Sequence, residues 1–229
     1  MIISGHQPSY LPWYGFFEKI HKSDVFVFHD IAQFEKKGFL NRNRIKTSQG
    51  ASWLTVPIQM KNYKEIPFNK LKIDNTQDWE RKHWKAIRIN YSNAPYFNVY
   101  KDYLENFYSE DWINLNDMNM NFIHFIIREL NIDTELYYVS DLEGITGKKS
   151  DFVLELCQKF NASTYYSGSL GQDYLDENDF ENENIEIIYQ RIRDYSYKQL
   201  FGEFIPHLSI LDILLNCGPK ETEKLIKGV

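Results

Sequence analysis

"MIISGHQPSYLPWYGFFEKIHKSDVFVF" spans Met1–Phe28, and its reading decides the fold. The apolar run Ile2–Ser4 reads as a strand and Val25–Phe28 as a second one. Between them, apolar residues at helical spacing around Trp13, Phe16, Phe17 and Ile20 predict a helix over Leu11–His21. A strand, a loop, a helix and a strand in that order form the unit from which parallel sheets are built. Gly5–Leu11 is then the loop leaving the carboxyl end of the first strand, where open α/β sheets bind their ligands. Pro8 and Pro12 stiffen it, and Pro12 suits the first turn of the helix. His6, Gln7, Tyr10 and Trp13 become the first candidate site residues.

The same pattern continues outward. Trp53–Ile58, Glu135–Val139, Thr164–Ser167 and Glu186–Tyr189 read as strands. Asn119–Leu130 carries Phe122, Ile123, Ile126 and Leu130 on one stripe. "KKSDFVLELCQKF" offers Ser150 or Asp151 as an N-cap, with Phe152, Leu156 and Phe160 recurring behind it. "LSILDILLNCGP" predicts an apolar helix that ends at Gly218, with Pro219 as a stop. Strands alternating with helices predict an α/β fold, a mostly parallel sheet with helices on both faces. The stretch near 75–130 reads as a helical insertion in the middle. No repeat and no Pro/Gly/Ser linker interrupts the chain, so a single domain over 1–229 is expected.

Composition narrows the function. With 32 acidic and 26 basic residues the net charge is −6, which argues against a general nucleic-acid binder. Aromatic residues make up 16% of the chain, a stock suited to a ring-lined cleft as well as to a core. Cys157 and Cys217 lie inside apolar helical patterns and read as buried free thiols of a reducing compartment. Neither a run of about 20 apolar residues nor a basic-then-apolar leader occurs. The expectation is a cytoplasmic protein with no membrane span.

Against this acidic background, "EKKGFLNRNRIK" is a local anomaly, with Lys36, Lys37, Arg42, Arg44 and Lys46 in a short span. If the segment is extended, Asn41 and Asn43 point to one side, and Arg42 and Arg44 to the other. Guanidinium forks and amides match phosphate and carboxylate oxygens. Asn41, Arg42, Asn43, Arg44 and Lys46 are therefore candidate substrate contacts, and a nucleotide-sugar pyrophosphate suits them. A solvated hairpin, its charges keeping an edge strand soluble, is the plainer alternative. "YYSGSLGQDYLD" places Gly168 and Gly171 after a strand; with Ser167 and Asp173 this turn could bring backbone N–H groups to an anion or a sugar. Asp173, Asp176 and Asp179 read as an exposed turn, and no metal site is assigned. Zinc spacing, a Walker loop, a dinucleotide fingerprint and a serine elbow are all missing.

His6 and Asp30, at neighbouring strand ends, suit a general base and its orienting carboxylate. Asp30 and His29 are adjacent, so only one of them can face His6.

Two resemblances follow. The opening unit is similar in spacing to that of nucleotidylyltransferases, but Trp13-x-Gly15-Phe16 replaces their phosphate-holding histidines. Along nearly the whole chain, "HQPSYLPWYGFFEKI", "SDVFVFHDIAQFEKKGFLNRNRIK", "WLTVPI", "YSNAPYF", "YYSGSLGQDYLD" and "FIPHLSILDILLNCG" resemble the WbqC-like family of bacterial surface-polysaccharide (O-antigen and capsule) clusters. That resemblance implies an enzyme modifying an activated sugar before polymer assembly. Two departures from the family pattern, at Ile31 and Phe152, imply altered specificity or reduced activity. Together with the missing metal, nucleophile and Walker signatures, the resemblance leads to an expected transferase. It would pass an acyl or aminoacyl group from a thioester donor, on CoA or a carrier protein, to the amine of a nucleotide-linked amino sugar. An acyl carrier protein or other pathway enzymes would be its partners. A nucleotidyl or adenylating enzyme and a non-enzymatic nucleotide-sugar binder are the rivals.

Overall fold

The computed structural model describes residues 1–193 and 195–228. In chain order its elements are β1 (Ile2–His6), α1 (Tyr14–His21), β2 (Val25–Phe28), β3 (Arg42–Thr47), β4 (Gly50–Thr55), α2 (Trp79–Tyr91), α3 (Phe97–Ser109), α4 (Leu115–Glu129), β5 (Glu135–Tyr138), α5 (Ser150–Lys159), β6 (Thr164–Ser167), α6 (Glu177–Asn182), β7 (Glu186–Tyr189) and α7 (Ile210–Lys227). Two compact units share them. Unit 1 is Met1–Gln7, Gly15–Asp30 and Ile132–Asp194, and unit 2 is Pro8–Tyr14, Ile31–Asn131 and Tyr195–Val229.

Unit 1 is an α/β layer structure around a five-stranded sheet of order β5-β2-β1-β6-β7. All its pairings are parallel. Side chains alternate across it. Ile3, Val25 and Val27 face a core that includes Val153, Leu156 and Cys157 of α5 and Phe180 of α6. On the other side Phe26 and Phe28 are fully buried, and Phe16 of α1 meets Phe26 edge-on with centroids 5.9 Å apart. Each such ring adds roughly 2 kcal/mol by leaving water. At Gly5 the backbone of β2 lies close, since a Cβ there would stand 2.9 Å from Val27 O.

Unit 2 is mostly helical. Helices α2, α3 and α4 fall inside the 75–130 stretch, and β3 and β4 form an antiparallel hairpin. The sequence reading placed a strand at Trp53–Ile58; the structure moves it to β4, Gly50–Thr55, outside the parallel sheet. The tight turn explains the shift. Thr47 pairs with Gly50, whose φ of 102° the turn requires, so the return strand starts early. The first helix likewise starts at Tyr14 rather than Leu11, because Leu11 is held at φ 44°. Nor does the last helix end at Gly218. The chain breaks there at φ 81°, ψ 178° and re-enters the helix through Pro219. The Tyr96 ring occupies the space that a Cβ on Gly218 would need, 2.4 Å away. Among the described residues, no helix is long and apolar enough to cross a membrane.

Candidate functional site

In unit 1 the strand order reverses between β1, the middle strand, and β6. Their register is short: Ile2 pairs with Thr164 and Ile3 with Tyr165. Beyond it, Ser4 Oγ donates to Tyr166 O at 2.6 Å. Such a reversal point is where an open α/β sheet leaves a crevice at the strand carboxyl ends. His6 ends β1, and Ser167 ends β6 with Gly168 next in the chain.

His6 belongs to the strand rather than to the following loop. Its ring packs edge-on against Phe16 at 5.3 Å, and its Nδ1 lies 2.8 Å from Gln7 O. A carbonyl only accepts, so Nδ1 carries the proton and Nε2 keeps its lone pair. Part of the residue is open to solvent, yet the chain around the ring and the Lys19 ammonium push its pKa down to about 4. The ring is therefore neutral at pH 7.

Lys19, which the sequence reading passed over, lies in the same place. It is 4% exposed and donates to Gly5 O at 2.8 Å. Burial pushes its pKa down to about 8, with Glu18 opposing the shift. Glu18 is itself buried and accepts from Lys22, Gln190 and Tyr166. Gln190, just past β7, also donates to Gly15 O at 2.7 Å and so fastens the start of α1. A signal for Lys19 existed: it stands one turn after Gly15 and Phe16 on the packed side of "GFFEKI", where a lysine needs a reason.

Asp30 is 3% exposed, and its Oδ1 accepts from Ser140 N at 3.0 Å, tying the end of β2 to the turn after β5. The acceptor that orients His6 is the Gln7 carbonyl. His29 stacks on Phe152 at 4.2 Å. Ser167 is buried with its Oγ donating to Gly168 O, and Gly171 lies so close above it that a Cβ would collide with Ser167 Oγ. Asp173 closes the exposed 3-10 turn Ser169–Asp173. Among the described residues, no three His, Cys, Asp or Glu side chains gather into a metal-holding group.

The remaining candidates belong to unit 2. Tyr10 is 1% exposed, its hydroxyl 2.8 Å from His83 Nδ1 and 2.7 Å from Tyr108 OH. Trp13 packs edge-on against His207 at 4.9 Å. Alternation along β3 sends Asn43 and Ile45 inward. Asn41 Nδ2 donates to Val56 O and Asn43 Nδ2 to Leu11 O, each at 2.7 Å. Arg42 and Arg44 emerge on the other side over Trp53, 4.3 and 5.7 Å from its ring centre. Arg42 donates to Gly38 O and Lys37 O, and Arg44 to His207 O at 3.3 Å, while Arg44 Nε is buried without a partner. Lys46 lies inside, 2% exposed, donating to Gln199 Oε1 at 2.9 Å and Glu203 O at 2.5 Å. A cavity of about 270 Å³ opens beside Arg42, lined also by Lys36, Lys37, Phe34 and Met60.

The candidates thus form two groups. Unit 1 holds His6, Gln7, Asp30, Ser167, Gly168 and Asp173, joined by Lys19; unit 2 holds Tyr10, Trp13, Asn41, Arg42, Asn43, Arg44 and Lys46.

Comparison with known proteins gives a consistent result. The model of the WbqC-like protein family matches residues 7–224. A protein of Mycobacterium tuberculosis, "Uncharacterized protein Rv1507c", is 39% identical over 223 residues, covering 96% of this chain and 95% of the relative. No solved structure matches the chain.

Proposed function

The chain belongs to the WbqC-like protein family, and from that premise we propose that it is a transferase acting on a nucleotide-linked amino sugar in surface-polysaccharide synthesis. The observation that carries the catalytic part is His6 at the reversal point, neutral at pH 7, with Nδ1 engaged by Gln7 O and Nε2 open. The sugar pathway rests on the family resemblance.

The reaction proposed is amide formation. The sugar amine attacks the carbonyl carbon of a thioester, a C–N bond forms and the C–S bond breaks. The proton leaving nitrogen passes to His6 Nε2 and then to the departing thiolate. The low basicity of the ring favours the second transfer, to the thiolate, over the first, from the amine. Direct attack needs no enzyme nucleophile, and Cys157, buried in the core with its thiol pushed up to about 12, is unsuited to be one. The Arg42, Arg44 and Trp53 face of unit 2 combines cations with an exposed ring, as anion and sugar contacts do.

The test pairs acetyl-CoA with UDP-linked amino sugars and follows free-thiol release and the mass of the sugar. Turnover should require both substrates, and His6→Ala should lower kcat by roughly 100-fold or more. Full turnover in His6→Ala would sink the base assignment. One observation favours a second reading: the strand order of unit 1 is that of a mononucleotide-binding sheet. Release of pyrophosphate from ATP without any thioester would select nucleotidyl transfer instead.

A further inference from the structure

Lys19 is a buried cation whose hydrogen bonds are incomplete. An ammonium has three N–H donors. Lys19 is 4% exposed and makes one hydrogen bond, to Gly5 O at 2.8 Å. Among the described residues, nothing accepts from its other two donors. The neighbouring Glu18 acts on Lys19 through its charge but accepts no hydrogen bond from it; its oxygens accept from Lys22, Gln190 and Tyr166. A buried charge is costly unless something pairs with it.

The place beside Gly168 adjoins the ammonium; among the described residues, no other atom beyond its chain neighbours lies within 4 Å of it. A Cβ built on Gly168 would stand 3.8 Å from Lys19 Nζ. Gly168 has φ −66° and ψ 162°, a conformation open to any residue. Its backbone therefore does not demand glycine; the effect of glycine is to leave the place beside the ammonium open. Gly5, one residue before the end of β1, and Gly168, one residue after the end of β6, lie on the two sides of the reversal point, and Lys19 of α1 contacts both places.

We propose that Lys19 is the anion contact of the unit 1 crevice, and that the group it takes is a phosphate of the substrate's nucleoside diphosphate. The two open N–H groups donate to phosphate oxygens, with Gly168 giving them room. A lysine serves here as a point charge, fitting a phosphate without the fixed fork of an arginine. With its pKa near 8, the group is still largely charged at pH 7. The inference rests on reading the unit 1 crevice as the substrate site.

Isothermal titration of the full-length chain with UDP, inorganic pyrophosphate and uridine tests it. Wild type should bind UDP and pyrophosphate, with uridine at least tenfold weaker. Lys19→Met should weaken UDP and pyrophosphate at least tenfold. Gly168→Ala keeps the charge and sets a methyl beside Nζ, so it should weaken both ligands severalfold even if Lys19→Met folds poorly. UDP affinity in either variant within twofold of wild type would overturn the proposal. So would uridine binding as tightly as UDP, or a wild type that binds neither anion. His6→Ala separates this from the catalytic reading. Turnover lost in His6→Ala, with UDP affinity unchanged in Lys19→Met, removes Lys19 alone. Turnover kept in His6→Ala, with Lys19-dependent UDP binding, removes the His6 base alone.

Discussion

Replacing Lys19 by Met should make the free protein more stable at neutral pH. The folded pKa is about 8 against an ordinary 10.5, mainly through burial. At about 1.36 kcal/mol for each pH unit, keeping the ammonium in place costs about 3 kcal/mol. Methionine fills similar volume without a charge, and losing the bond to Gly5 O gives back about 1 kcal/mol. Lys19→Met should therefore gain about 2 kcal/mol at pH 7. The sign of the pH dependence is also fixed. Between about 8 and 10.5 the unfolded chain binds a proton that the folded chain has released, so wild-type stability rises with pH across that window relative to the variant. The gap should close at about pH 9.5 and reverse by about 1 kcal/mol at pH 10.5, where the neutral amine still holds Gly5 O. Urea unfolding of both proteins from pH 7 to 10.5, followed by tryptophan fluorescence, measures it. A variant less stable than wild type at pH 7, with a gap that does not change with pH, would refute the reasoning.

Three further outcomes follow from other positions. His83 is 6% exposed and burial pushes it down to about 4; below pH 6.5 the unfolded chain takes a proton that this ring refuses, so stability should fall by up to about 3 kcal/mol between pH 6.5 and 4, and His83→Gln should flatten that limb in urea melts. Gly218→Ala forces a Cβ onto the Tyr96 ring at a positive φ and should cost about 2–4 kcal/mol, read as a lower urea midpoint with the slope unchanged. If His6 acts neutral and Lys19 acts charged, kcat/KM should rise through about pH 4 and fall through about pH 8, and Lys19→Met should erase the alkaline limb.

Much of unit 1 is readable in the sequence because its signals are local. Val25–Phe28 is wholly buried, Ile2–His6 is short and apolar at its start, and proline, glycine and aromatic residues mark the loop between them. The α/β character follows from that alternation. Less legible was what three-dimensional packing decides. Asn41, Asn43 and Lys46 look like surface polar residues, but unit 2 buries all three against backbone carbonyls and Gln199. Lys19 stands on the packed side of its helix, but the partner that receives it, the Gly5 carbonyl of β1, is set by the tertiary structure and not by the local pattern. The boundaries of the two units have no compositional mark, since contacts alone draw them.

The interleaving of the units has a kinetic consequence. Strand β1 lies at the middle of its sheet, yet its partners on the β6 side are 162 positions away in sequence. At about 5–20 residues per second, synthesis takes on the order of 10–30 s to supply them. During that time β1 and β2 can pair only as an incomplete sheet with open edges, a species prone to join other chains. The long separation also raises the loop-closure entropy that must be met before the central pairing forms, which slows folding. Yield in a cell should therefore depend on chaperones that hold the early strands, and neither unit can be produced by cutting out one continuous stretch of the gene.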